Sequence, residues 1–115
     1  MLFLCYPKCS TCQKAKKWLD EHQISYEDRH IVENNPTFEE LKDWYGRSGL
    51  PLKKFFNTSG MLYKEMKLKD KLPEMSEEEQ LKLLATNGML VKRPLIVDGD
   101  RVLTGFKMAE WEALL

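Results

Sequence analysis

The opening of the chain constrains its fold more than any other stretch. Leu2-Phe3-Leu4-Cys5 is a short, unbroken apolar run cut off by Tyr6-Pro7. A run of that length and flank suits a strand buried on both faces. From Thr11 to His22, the residues Cys12, Ala15, Trp18 and Leu19 recur at helical spacing, with Lys14, Lys16, Lys17, Asp20 and Glu21 on the other side. This is the pattern of an amphipathic helix. Ile24 to Ile31 then alternates weakly, as a second strand would. Strand, helix and strand in such close succession imply a right-handed crossover between parallel strands.

Asn34-Asn35-Pro36 interrupts the chain. Thr37 with Glu40, and later Ser76 with Glu79, form capping-box patterns, in which hydroxyl and carboxylate each satisfy a free backbone amide. The first opens a helix with Phe38, Leu41, Trp44 and Tyr45 on its buried stripe, ending near Gly46. The second opens a helix through Leu81, Leu83, Leu84 and Ala85, with Asn87-Gly88 as its stop. Between them, Leu52 to Phe56 suits one or two helical turns, and Asn57-Thr58-Ser59-Gly60 is a loop. Met61 to Leu72, closed by Pro73, has no decisive period. Pro94-Leu95-Ile96-Val97 and Val102-Leu103, joined by Asp98-Gly99-Asp100, read as an antiparallel hairpin. Met108, Trp111, Leu114 and Leu115 mark a terminal helix. The expected architecture is α/β: a thioredoxin-like four-stranded mixed sheet in the order β-α-β … β-β-α, one domain over residues 1–115 with a helical insertion at about 37–90.

Charge and cysteine usage narrow the function classes. Lys and Arg number 18, as do Asp and Glu, so no net charge draws the chain to nucleic acid or an anionic membrane. No apolar run reaches membrane-spanning length, and the apolar start lacks the basic leader of a signal peptide. Three cysteines are too few, and odd in number, for a disulfide-stapled secreted domain. A cytoplasmic monomer without direct nucleic-acid or membrane contacts is the expectation.

Cys9-Ser10-Thr11-Cys12 falls where the first strand hands over to the first helix. The first amides of a helix lack intrahelical partners, and the macrodipole adds partial positive charge there. Both favour a thiolate, which makes Cys9 the candidate nucleophile. Lys8 adds an exposed, salt-screened charge beside it. Cys12 lies one turn on, within disulfide reach and on the apolar stripe, and is the candidate resolving thiol. Cys9 would attack a substrate, and Cys12 would displace the product to leave a Cys9–Cys12 disulfide. Competing readings are weaker. Half of a zinc site would need ligands from Cys5, His22 or His30, and Cys5 lies within the buried strand. The Cys5-x3-Cys9-x2-Cys12 spacing also suits an iron–sulfur ligand run, but the chain is too short for the barrel that such radical enzymes use. No metal is expected. Cys5 reads as a small core hydrophobe, and the histidines as solvated residues at element ends.

Lys92-Arg93-Pro94 precedes the third strand. Proline is tolerated at the first residue of a strand, and in this fold that position commonly holds a cis peptide facing the reactive thiol. Only four of the eighteen cations are Arg, and a guanidinium fork beside Cys9 could hold an oxyanion, a glutathione carboxylate or a thiolate. Arg93, Pro94 and Lys8 are therefore the candidate substrate-binding residues. Residues 53–71 carry six Lys and are followed by Glu74, Glu77, Glu78 and Glu79, a dipolar stretch that is either a solvated face or a docking surface.

With these blocks in view, the chain resembles the ArsC/Spx/MgsR family, the arsenate-reductase-like branch of the thioredoxin superfamily. The resemblance rests on Tyr6 to Ala15, on Leu52 to Gly60, and on Lys92 to Asp98 with Gly105-Phe106. It implies the inserted helical region and a thiol redox function, with glutathione or thioredoxin as electron donor and a thiol, disulfide or oxyanion as substrate. Arsenate reductases of this type pair one catalytic Cys with three arginines. Cys9 and Arg93 match, but Asn57 stands at the second position and no Arg lies near Gly105-Phe106. Spx-type regulators share the CxxC and the Arg-Pro element and bind the RNA polymerase alpha subunit, with Gly49 matching a partner-contact glycine. The resemblance thus implies either an oxidoreductase or a redox-sensing regulator.

Overall fold

The computed structural model describes residues 1–115. Strands β1 (Leu2–Cys5), β2 (Glu27–His30), β3 (Leu95–Asp98) and β4 (Arg101–Thr104) form one mixed sheet in the spatial order β2-β1-β3-β4. β1 runs parallel to β2 and antiparallel to β3, and β3 pairs antiparallel with β4. The helices are α1 (Ser10–Glu21), α2 (Phe38–Ser48), α3 (Met61–Glu65), α4 (Leu68–Lys71), α5 (Glu77–Thr86) and α6 (Met108–Glu112), with short 3-10 turns among them. The expected thioredoxin-like frame and its helical insertion are present. No helix is long and apolar enough to cross a membrane.

Side chains of a strand alternate between faces, and β1 uses both. Phe3 and Cys5 enter one core with Cys12, Ala15, Trp18 and Leu19 of α1, Ile96 of β3 and Trp111 of α6. Leu4 enters the other core, with Leu95, Val97 and the apolar residues of the insertion, among them Leu41, Trp44, Phe55, Phe56 and Leu84. Trp111 is fully buried, donates its indole N–H to the Gly105 carbonyl at 3.0 Å, and packs edge-on against Phe3, Trp18 and Phe106.

Both capping boxes form as read. Thr37 and Glu40 exchange side-chain and backbone bonds at 3.1 and 3.0 Å, as do Ser76 and Glu79. Glu40 has a second duty. Its carboxylate accepts a bidentate pair from Arg29 of β2 at 2.7 and 2.8 Å, while Arg29 also donates to the carbonyls of Asn34 and Asn35. This fork fastens the sheet edge to the start of α2. β2 itself is the polar run Glu27-Asp28-Arg29-His30, as suits an edge strand, and is shorter than the expected stretch from Ile24 to Ile31.

Two glycines act differently from their sequence reading. α2 runs through Gly46 to Ser48 and ends at Gly49, whose left-handed φ of +68° is the reason for glycine there. Gly88 is no left-handed stop. It lies against the backbone after β2, where a Cβ would sit 1.8 Å from the Ile31 carbonyl oxygen. The stretch from Met61 resolves into α3, α4 and a 3-10 turn over Leu72–Glu74, with Lys67 in a left-handed conformation at the break between the two helices. Pro73 lies inside that turn instead of closing the segment.

Two outcomes follow from this packing. Gly88→Ala should cost about 3 kcal/mol or more in denaturant unfolding, because backbone faces backbone and no side chain can yield. The Arg29 hydrogen bonds, opposed by burial, hold Glu40 at a pKa of about 2, below its ordinary 4.5. Its ion pair therefore contributes fully above pH 4.5 and is lost as pH falls from there toward 2. Glu40→Gln should lower stability at neutral pH by about 1–2 kcal/mol, the side chain being partly solvated, and the difference from wild type should shrink across that acid window.

Candidate active site

Cys9 is the N-cap of α1, with extended backbone. Its N–H donates to the Tyr6 carbonyl at 2.9 Å, and its carbonyl accepts the first helical bond, from the Gln13 N–H, at 3.0 Å. The Gln13 side chain reaches back to the Pro7 carbonyl at 3.0 Å and pins the turn. Cys9 is a free thiol and partly buried. Burial is the largest single influence on it and raises its pKa. The Cys12 amide, the Arg93 guanidinium and the Thr11 amide together outweigh that effect, helped by the charge on Arg93, and the net pKa is lowered. No single donor closes a formal cap on the sulfur. The shift comes from converging dipoles and one fixed cation.

Sheet register explains how Arg93 arrives. The β1–β3 ladder pairs Leu2 with Val97, Phe3 with Ile96 and Leu4 with Leu95. Continued outward, this register sets Arg93 level with Tyr6, and the guanidinium does lie 5.4 Å from the Tyr6 ring centroid. The Arg93–Pro94 peptide is cis, as expected. Pro94 is buried just before β3, and its carbonyl accepts from the Gly105 amide at 2.8 Å. Arg93 Nε is buried without a partner, and its Nη1 makes only a 3.5 Å contact with the Met89 carbonyl. The guanidinium thus retains unspent donor capacity beside the thiol.

Cys9, Thr11 and Arg93 line a cleft of about 740 Å³. Asn57 and Gly105-Phe106, where the family resemblance implies two further arginines, line it too. The cations around it are Lys53, Lys54, Lys92, Lys107 and Arg93, against Glu110 alone. Lys8 is not among them. It is exposed in the turn and does not contribute to the lowered Cys9 pKa. The lysines that do line the cleft come from separate segments, so spacing along the chain does not gather them into one site, and proximity in the chain, as for Lys8, does not put a charge there.

The larger departure concerns sulfur pairing. The disulfide in the structure joins Cys5 to Cys12, with Cα atoms 5.8 Å apart, and leaves Cys9 free. The expected Cys9–Cys12 bond is not the one formed, and Cys5 is no mere core hydrophobe. The cause is strand parity: Cys5 faces the same core as the inward stripe of α1, on which Cys12 lies, whereas Cys9 sits at the mouth of the helix. Of the histidines, His22 stacks on Trp18 and contacts its carbonyl through Nδ1 at 2.8 Å. His30 accepts the amides of Val32 and Glu33 at Nδ1. Neither lines the Cys9 cleft. No cluster of residues suited to a metal is present.

A buried disulfide and an activated thiol at the head of one helix define a thiol redox protein on a thioredoxin-like frame. The chain belongs to the ArsC family, which it matches over residues 4–114. It is 59% identical to YusI of Bacillus subtilis over 97% of this chain and 95% of that one. It is 33% identical to the regulatory protein MgsR of the same organism, over 96% of this chain and 86% of MgsR. A Bacteroides fragilis structure described as ArsC family related superposes with a TM-score of 0.96 at 68% identity, covering 99% of this chain and 96% of that one. A Streptococcus mutans structure described as a possible arsenate reductase gives 0.91 at 43% identity, covering 99% and 97%.

The geometry predicts how Cys9 responds to pH. A lowered pKa means that alkylation of Cys9 by iodoacetamide should already be fast below the pH at which ordinary thiols react. In Arg93→Met the rate profile should move to higher pH, with alkylation at neutral pH slowed several-fold. An unchanged profile would assign the activation to the helix amides alone.

Proposed function

We propose that this protein is a thiol–disulfide oxidoreductase in which Cys9 attacks an oxidised, anionic substrate and Cys12 takes part in resolving the adduct. The observation that carries this reading is the free, activated Cys9 thiol beside the unspent Arg93 guanidinium in a lysine-rimmed cleft. A thiolate is the attacking species in disulfide exchange, and lowering its pKa raises its fraction at neutral pH. The cationic rim suits a substrate with carboxylates, such as a glutathione mixed disulfide. Arsenate fits less well. Asn57 and the Gly105-Phe106 segment offer no charge-assisted fork where a compact oxyanion would need one. Glutathione or a thioredoxin serves as electron donor in this reading, which places the protein in the reducing cytoplasm.

The test is turnover of oxidised glutathione or a glutathionylated protein, with a coupled reductase reporting thiol release. Cys9→Ser should abolish it, because a serine hydroxyl is not appreciably ionised at neutral pH. Turnover unchanged in that variant would overturn the proposal.

The similarity to the regulatory protein MgsR favours a second reading, a regulator; the resemblance to Spx-type regulators makes it a redox sensor whose disulfide state controls binding to the RNA polymerase alpha subunit. Gly49 is exposed in that reading, but the left-handed cap of α2 already accounts for it. Pull-down of purified alpha subunit by reduced and oxidised protein separates the two: a complex in one redox state, without substrate turnover, would favour the regulator.

A further inference from the structure

The three sulfurs face two different openings. Cys9 lines the lysine-rimmed cleft, whereas Cys5 and Cys12 line a smaller one of about 360 Å³ with Gln13, Lys16, Asp28 and His30. The two clefts share no lining residue. Cys12 stands between them, its amide directed at the Cys9 sulfur and its own sulfur bonded to Cys5. The Tyr6 N–H donates to Cys12 Sγ at 3.4 Å, a dipole that stabilises negative charge on that sulfur both when it attacks and when it leaves.

We propose that Cys5 is the terminal thiol of a three-cysteine relay, which carries oxidation from the Cys9 cleft to the second opening. The proposal rests on the oxidoreductase reading above. In the first step the Cys9 thiolate attacks a substrate disulfide, forming a mixed disulfide and releasing one thiolate. Cys12 then attacks Cys9 Sγ, losing its proton, and the second substrate thiolate departs. Cys5 next attacks Cys12 Sγ, losing its proton, and Cys9 leaves as a thiolate. One substrate disulfide is thereby reduced to two thiols, Cys5 and Cys12 are oxidised to a disulfide, and their two protons pass to the products. Cys9 is regenerated. An external dithiol then reduces Cys5–Cys12 through the smaller opening.

The third step is favoured by its leaving group and by where its product lies. The leaving group is the low-pKa Cys9 thiolate, stabilised by Arg93 and the helix amides, and a low-pKa thiolate is the better leaving group. The product bond lies in the core, where Cys5 and Cys12 are 6% and 2% exposed. That bond is shielded from the substrate cleft, so a bound product does not compete with the reductant for one surface.

The experiment treats fully reduced protein with excess oxidised glutathione and follows thiol release and disulfide linkage. Cleavage after Lys8 and Lys14 puts Cys5 on one peptide and Cys9 with Cys12 on the next. Wild type should yield these peptides cross-linked through Cys5 and Cys12, with Cys9 free after one equivalent and glutathionylated by a second. Total glutathione released is then three molecules per chain. Cys5→Ala should stop at an internal Cys9–Cys12 loop and release two, a drop of one third. Wild-type protein that ends with the Cys9–Cys12 loop and a free Cys5 would overturn the relay, whether or not the variant folds. Cys9→Ser separates the levels of failure: if inert, the nucleophile assignment stands and only the relay falls; if it still reacts at the wild-type rate, both fall.

Discussion

Everything chemical in this protein depends on how β1 meets α1. β1 is covered on both faces, so its alternate side chains are committed to opposite cores. Cys5 must share a side with Phe3, and that is the side on which α1 packs its apolar stripe. Cys12, on that stripe, is brought to Cys5 by the same burial that holds the helix on the sheet. Cys9 precedes the stripe and stays at the helix mouth. A shift of one residue in β1 would turn Cys5 toward the insertion and leave Cys12 without a partner. The same strand also positions Arg93, because antiparallel pairing with β3 leaves residue 93 level with the turn that ends β1. One strand's parity and register therefore place the free thiol, the cation beside it and the neighbouring disulfide.

The frame was legible wherever local chemistry and tertiary packing agree. Thr37-Glu40 and Ser76-Glu79 were readable because a capping box is closed within four residues, and both form. The hairpin was readable from Gly99, which takes the positive φ its turn requires. Disagreement came where a residue answers to a distant partner. Gly88 looks like a stop signal along the chain, but its real constraint is the Ile31 carbonyl. Arg29 of the polar edge strand β2 is committed to Glu40 and to the Asn34 and Asn35 carbonyls, partners that no periodicity announces.

The site shows the same division. Cys9 at a strand–helix junction, and Arg93 before a strand-opening proline, are local signals, and the structure sets the two side by side. The Cys5–Cys12 bond was missed although its elements were in hand. A strand buried on both faces and Cys12 on the helix stripe are both legible, but which face of the strand meets that stripe is set only by packing. The CxxC spacing points to Cys9 as the partner of Cys12, whereas the bond in the structure runs to Cys5. The lysine rim could not be found by spacing at all, since Lys53 and Lys54 belong to the insertion, Lys92 precedes β3 and Lys107 precedes α6. Lys53 and Lys54 of the basic stretch, expected as a solvated face or a docking surface, thus belong to the cleft.

The composition of that rim bears on what the cleft can select. A guanidinium is a planar, pre-oriented fork, and several of them around one point can enclose a compact tetrahedral anion. Lysines are flexible point charges, and those on an open rim are screened by salt. Four lysines spread along a cleft of about 740 Å³ cannot converge on one small anion without losing much side-chain freedom. They can each meet a separate carboxylate on an extended molecule at little entropic cost. With Arg93 as the single fork, the fixed recognition falls at the sulfur and the diffuse recognition falls away from it. Such an arrangement favours a peptide-sized anion whose reactive sulfur sits over Cys9 and whose carboxylates lie along the rim. In the proposed relay, the separate opening lined by Cys5 and Cys12 would keep the reductant away from this rim.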